Sequence, residues 1–125
     1  METVLNQKTL VIGASLKPER ISNQAVHRLR NAGHPVVAIG GRAGTVADVS
    51  VADNLAQIEG PYHTLTLYLN AQRQKAYYDF ILNSGAKRVI FNPGAENPEL
   101  YEMLEAKGIE AENACTLVLL SLNAY

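Results

Sequence analysis

The sequence predicts a doubly wound α/β fold in three layers, with helices covering both faces of a mainly parallel sheet of about five strands. Two observations carry that expectation. Short, nearly all-apolar β-prone runs recur along the chain, at Leu10–Ile12, Val36–Ile39, Leu65–Leu67 and Val89–Phe91, and helical patterns separate most of them. Strands apolar on successive residues are covered on both faces, as in a parallel sheet. Glycines then punctuate the runs, with Gly13, Gly33, Gly40-Gly41, Gly85, Gly94 and Gly108 standing where strands or helices should stop.

Taken in order, Thr9–Gly13 reads as the first strand. Ser22 reads as the N-cap of a helix over Asn23–Ala32, where Ala25, Val26, Leu29 and Ala32 recur at helical spacing. Gly33 is its left-handed C-cap. Val36–Ile39 is the second strand, and this strand–helix–strand order implies a right-handed parallel crossover. Thr45–Val51 alternates weakly and reads as one short strand, and Leu65–Asn70 as another. Asn70 then caps a helix over Ala71–Ser84 with Ala76, Phe80 and Ile81 as its apolar stripe, closed by Gly85. Arg88–Phe91 is the next strand. Pro98 opens a helix to Ala106 or Lys107, Ile109–Glu112 forms an edge strand, and Ala114–Leu122 packs as a short helix on the core.

Composition narrows the function. The 125 residues fit one domain, and a net charge of −1 leaves no cationic surplus for nucleic acid. No apolar run is long enough to span a membrane, and the opening residues lack a basic-then-apolar signal segment. A single cysteine excludes an internal disulfide and a multi-cysteine metal site. The expectation is a soluble cytoplasmic protein. Tyr77 and Tyr78 cannot both face inward from one helix, which leaves one for the surface or for a contact between copies in a homo-oligomer.

In a doubly wound sheet the ligand lies over the carboxyl ends of the strands. Four stretches should meet there: Gly13–Ser22, Gly40–Gly44, Asn70–Arg73 and Asn92–Asn97. A buried strand that turns through small residues into a helix start presents backbone N–H groups and the positive helix end to an anion. Gly13, Ala14 and Ser15 are the candidate phosphate cradle, with Lys17 and Arg20 beside it to neutralise charge. The plain alternative is a tight turn with two solvated charges. The strict dinucleotide fingerprint is absent, and the second strand ends in Gly40-Gly41-Arg42 rather than the carboxylate an NAD ribose requires. Arg42 suits a ribose phosphate, as in NADP or coenzyme A, or is a surface arginine. Asn92, Pro93 and Gly94, with Asn97, offer amides to a pantetheine or pyrophosphate, or are a turn and helix cap; Asn70 is a ligand contact or a cap.

Ile-Gly-Ala-Ser-Leu-Lys-Pro-Glu-Arg-Ile-Ser, from Ile12 to Ser22, resembles the phosphate loop of the small stand-alone coenzyme-A-binding proteins. These share the Rossmann-like fold of the N-terminal domain of the succinyl-CoA synthetase α-subunit. The resemblance continues through Gly33–Val36, Arg88–Gly94 with Asn97, and Ala114-Cys115. It implies noncovalent binding of coenzyme A or an acyl-CoA, with Gly13, Ala14 and Ser15 matching the loop and Arg20 its arginine. Two departures bear on the transfer. Gly41-Arg42 stands where the family often carries Asn-Pro, and the chain is too short for the synthetase's nucleotide-grasp domain. His27, His34 and His63 read as structural or surface residues, so neither ligase activity nor any catalytic residue is expected. Cys115 reads as a small buried hydrophobe or as a partner for a mixed disulfide with coenzyme A's thiol. The rival readings are an NADP-binding oxidoreductase-like domain and a ligand-free interaction domain.

Overall fold

A computed structural model describes residues 7–125. Residues 1–6, on which the absence of a signal segment was read, lie outside that range. Seven strands form one sheet in the order β3-β4-β2-β1-β5-β6-β7. They are β1 (Thr9–Ala14), β2 (Val36–Gly40), β3 (Gly44–Val46), β4 (Val49–Ala52), β5 (Thr64–Leu67), β6 (Arg88–Phe91) and β7 (Glu110–Asn113). Every neighbouring pair is parallel except β3 with β4. The fold is the predicted Rossmann-like α/β class. Six stretches read as strands from the sequence, and the seventh arises because the weak stretch Thr45–Val51 is a hairpin, turning at Ala47 with φ +55, rather than one strand.

The described residues also form five α-helices: α1 (Ile21–Asn31), α2 (Ala71–Gln74), α3 (Tyr78–Leu82), α4 (Pro98–Ala106) and α5 (Thr116–Ser121). Alternation along β1 builds the layers. Leu10 and Ile12 belong to a core with Leu65, Leu67, Ile81, Phe91, Leu100 and Leu104, under α3 and α4. Val11 points to the opposite face and packs with Ala38 and with Val26 and Leu29 of α1. Both faces of the strand are therefore dry, as its unbroken apolar run requires.

Two helices differ from expectation. Ser22 is not a cap but a buried residue inside α1, which starts earlier with Arg20 at its N-cap. The turn that brings the Arg20 N–H to the Lys17 carbonyl at 3.0 Å already directs the chain into the helix. The helix expected over Ala71–Ser84 tightens into a 3-10 turn at Lys75–Tyr77, and Ala76 is exposed rather than in the apolar stripe. Buried Gln74 takes that inward position, and Ile81 follows one apolar repeat later.

The strand order places the reversal of winding at β1. From there the chain proceeds outward through β2 and β4, then returns to lay β5 on the other side of β1. The ends of β1 and β5 consequently open onto the same crevice.

Candidate functional site

Glycine closes the floor of this crevice. Gly13 has φ +93, and a Cβ there would come within 3.0 Å of the Tyr68 carbonyl carbon and 3.1 Å of the Leu69 side chain. At Gly40 a Cβ would lie 2.0 Å from the Ala14 carbonyl oxygen. Only residues without a side chain let the ends of β1, β2 and β5 come so close.

From that floor the chain rises into a loop tied by its own polar groups. The Lys17 N–H donates to Ser15 Oγ at 3.1 Å, and Asn23 Nδ2 donates to the Ser15 carbonyl at 2.9 Å. The loop ends at α1, whose N-cap position holds Arg20, a side chain with no acceptor atom. No side chain caps the helix, and no acidic residue sits in its first turn. The first-turn N–H groups at Ile21 and Ser22 have no intrahelical acceptor, and the positive end of the helix is left uncompensated.

A cavity of about 580 Å³ opens at that helix end. Gly13, Ala14, Ser15, Lys17, Arg20, Ile21 and Ser22 form its near wall, and Tyr68, Leu69 and Arg73 face them, with Gly41 at one side. An adjoining hollow of about 620 Å³ shares Ala14, Ser15, Lys17 and Gly41 and extends past Leu16 and Pro18 to Arg42. Lys17, Arg20, Arg42 and Arg73 thus edge one continuous trough, with Glu19 as its acidic member. Among the described residues the ion pairs lie elsewhere, at Arg30–Asp48 and Arg88–Glu112, so salt bridges leave these four cations unneutralised.

The far wall is uncharged apart from Arg73. Burial pushes the Tyr68 phenol up to about 12, so it is neutral at ordinary pH. Its buried hydroxyl stands beside those of Thr66 and Thr116, which bond to each other at 2.8 Å.

Of the residues expected from sequence, the trough brings together Gly13, Ala14, Ser15, Lys17, Arg20, Gly41 and Arg42. Asn70 does not line it: its Oδ1 accepts the Arg73 N–H at 2.9 Å, starting the helix that carries Arg73. Nor do Asn92, Pro93 and Gly94. Asn92 is buried, donating to Thr66 Oγ1 at 2.6 Å and the Leu67 carbonyl at 2.9 Å while its Oδ1 accepts the Thr116 N–H at 2.8 Å. Every polar atom of that side chain is consumed within the fold. The Gly94 N–H is likewise taken, by Glu96 Oε1 at 2.9 Å. Sequence reasoning missed Tyr68 and Leu69, whose only signal was their place at the end of the β5 run, and Asn23, read merely as part of a helix.

Cys115 is half-buried and adjoins Thr116 at the start of α5. His34 is buried against the Tyr125 ring, and neither His27 nor His63 lines the trough. Among the described residues no group of three or more His, Cys, Asp or Glu is placed to hold a metal ion. No helix among them is long and apolar enough to cross a membrane.

Residues 7–121 match the family described as CoA binding domain. The chain belongs to that family. It is 22% identical over 103 residues to the uncharacterized protein YneT of Bacillus subtilis (strain 168), covering 82% of this chain and 76% of that protein. The crystal structure of an uncharacterized protein is 42% identical and superposes with a TM-score of 0.90, over 96% of this chain and 98% of that one. The dinucleotide-forming acetyl-coenzyme A synthetase 1 of Ca. Korarchaeum cryptofilum, in complex with phosphate and ADP, has a TM-score of 0.67 at 18% identity. That likeness, over 86% of this chain but 26% of the synthetase, is one of fold.

Proposed function

We propose that this chain is a cytoplasmic, single-domain binder of coenzyme A or an acyl-CoA, holding its ligand noncovalently and performing no chemistry alone. The observation that carries the reading is the uncapped N-terminus of α1, which opens onto the trough beside Lys17 and Arg20. An anion there meets backbone donors, the helix dipole and a bidentate guanidinium at once. Membership of the CoA binding domain family supports coenzyme A as the ligand among phosphate-bearing molecules. On this reading the pyrophosphate lies against Ser15, Ile21 and Ser22, and the phosphorylated ribose lies toward Arg42 in the adjoining hollow. The remaining chain of the ligand runs between α1 and the Tyr68–Leu69 wall. Gly41-Arg42 in place of a carboxylate fits a ribose phosphate better than the free hydroxyls of NAD.

The test is thermal unfolding with coenzyme A, acetyl-CoA, NAD, NADP and ATP in turn. A ligand that binds only the folded state stabilises it by about 2.7 kcal/mol at a hundred times its dissociation constant. Coenzyme A and acetyl-CoA should raise the melting temperature, and Ser15→Ala combined with Arg20→Ala should abolish the shift. A rise with NADP alone would move the protein to the nucleotide-linked oxidoreductases, and no rise with any would favour an interaction domain.

A further inference from the structure

The loop after β1 is anchored by a residue that does not line the trough. Asn23 is the third residue of α1, within its first turn, and is buried, with only 3% of its surface exposed. Its amide reaches back across eight residues of sequence to hold the Ser15 carbonyl at 2.9 Å. Burying a primary amide costs free energy unless it is hydrogen-bonded, and this one is spent on the loop rather than on a neighbouring helix. It works with two contacts inside the loop, Lys17 N–H to Ser15 Oγ and Arg20 N–H to the Lys17 carbonyl. Those contacts fold the loop upon itself, whereas Asn23, with a longer 3.5 Å contact from Gln24 Nε2 to the Glu19 carbonyl, ties it to the helix. With the Ser15 carbonyl turned toward Asn23, the peptide at that corner has a fixed direction. Ser15 and the first turn of α1 then hold a set spacing across the cavity they both line.

We infer that Asn23 is a positioning residue for anion binding, holding Ser15 in register with the open first turn of α1 so that one phosphate group meets both. The inference rests on the proposal that this trough binds coenzyme A. Without the anchor the loop must be ordered on binding, and affinity falls by the cost of that ordering. The loss falls on the phosphate-bearing part of the ligand and spares the part that lies along the Tyr68–Leu69 wall.

The experiment compares the parent with Asn23→Ala and the near-isosteric Asn23→Asp, which presents a carboxylate to the Ser15 carbonyl. Affinities for coenzyme A and adenosine 3′,5′-bisphosphate are measured by calorimetry well below each variant's melting temperature. Pantetheine binding is followed by amide shift perturbation at Tyr68 and Leu69. Asn23→Ala should weaken coenzyme A and the bisphosphate alike by about three- to tenfold, as loss of one hydrogen bond implies, and Asn23→Asp by more. The pantetheine response should stay as in the parent. Equal affinities in parent and variants would overturn the inference, as would a parallel loss for pantetheine, which marks general loosening. Should Asn23→Ala not fold, Asn23→Asp and Asn23→Ser carry the same comparison. A parent that binds neither coenzyme A nor the bisphosphate would instead remove the functional reading on which the inference stands.

Discussion

The loop after β1 and the loop after β6 look alike in sequence and use their hydrogen bonds differently. Ile12-Gly13-Ala14-Ser15 and Phe91-Asn92-Pro93-Gly94 each carry the end of a buried parallel strand into a loop, each contains a glycine at positive φ, and each loop leads into a helix. The first ends at a helix with no side-chain cap and two cations at its mouth. The second ends at α4, where Asn97 Oδ1 accepts the Leu100 N–H at 3.2 Å and Asn92 ties β5, β6 and α5 together. After the first loop the first turn of α1 has no side-chain cap, whereas the second loop spends its side-chain amides on the fold. What separates the two loops is where their hydrogen bonds go, a property of the folded chain rather than of either local sequence.

Substitutions should divide along this line. The largest effect on stability belongs to Asn92→Ala. It leaves the Thr116 N–H and the Leu67 carbonyl short of partners in the interior and should lower unfolding free energy by about 3 kcal/mol. Urea denaturation measures this, and coenzyme A affinity at low temperature should be unchanged. Arg20→Ala reverses the pattern. It should weaken coenzyme A by about ten- to a hundredfold, as for a charge-assisted hydrogen bond, while moving stability by less than about 0.5 kcal/mol. Arg20→Asp sharpens the contrast further. An aspartate at the N-cap can accept a first-turn N–H, so stability should rise by about 0.5–1 kcal/mol while binding is lost.

The effect confined to the narrowest range of conditions is in alkaline solution. The Tyr68 phenol is raised by burial to about 12 from an unfolded value of 10.0. The folded chain therefore keeps a proton that the unfolded chain gives up. Stability is intact below the unfolded value and falls as pH rises from there toward the folded one. Tyr68→Phe should flatten that part of the stability–pH curve without altering it near neutrality.

Local signals were legible where one interaction decided the outcome. Arg88–Phe91 and Pro98–Ala106 match expectation because an apolar run and a proline start are settled within a few residues. Gly33 and Gly108 adopt positive φ directly after the C-caps of α1 and α4, whereas Gly85, also at positive φ, lies three residues past the end of α3 at Leu82. The start of α1 was misplaced because Ser22 has the right chemistry for a cap but lies buried inside the helix. The break in the helix after Asn70 was hidden for another reason. Gln74, polar and therefore expected outside, is buried and bonds the Leu69 and Ala95 carbonyls at 2.8 and 2.7 Å. The near wall of the trough was readable as a motif, whereas Tyr68 and Leu69 reach it through strand order, a long-range property that no local window contains.

The central claim is that an anionic ligand sits on the open helix end after β1 and not on the loop after β6. Backbone amide shifts recorded while coenzyme A is titrated into the labelled protein test it directly. The account predicts shifts at Ser15, Lys17, Ile21 and Ser22, with Asn92, Gly94 and Asn97 unmoved. Shifts centred on Asn92–Asn97, with the α1 end silent, would contradict it.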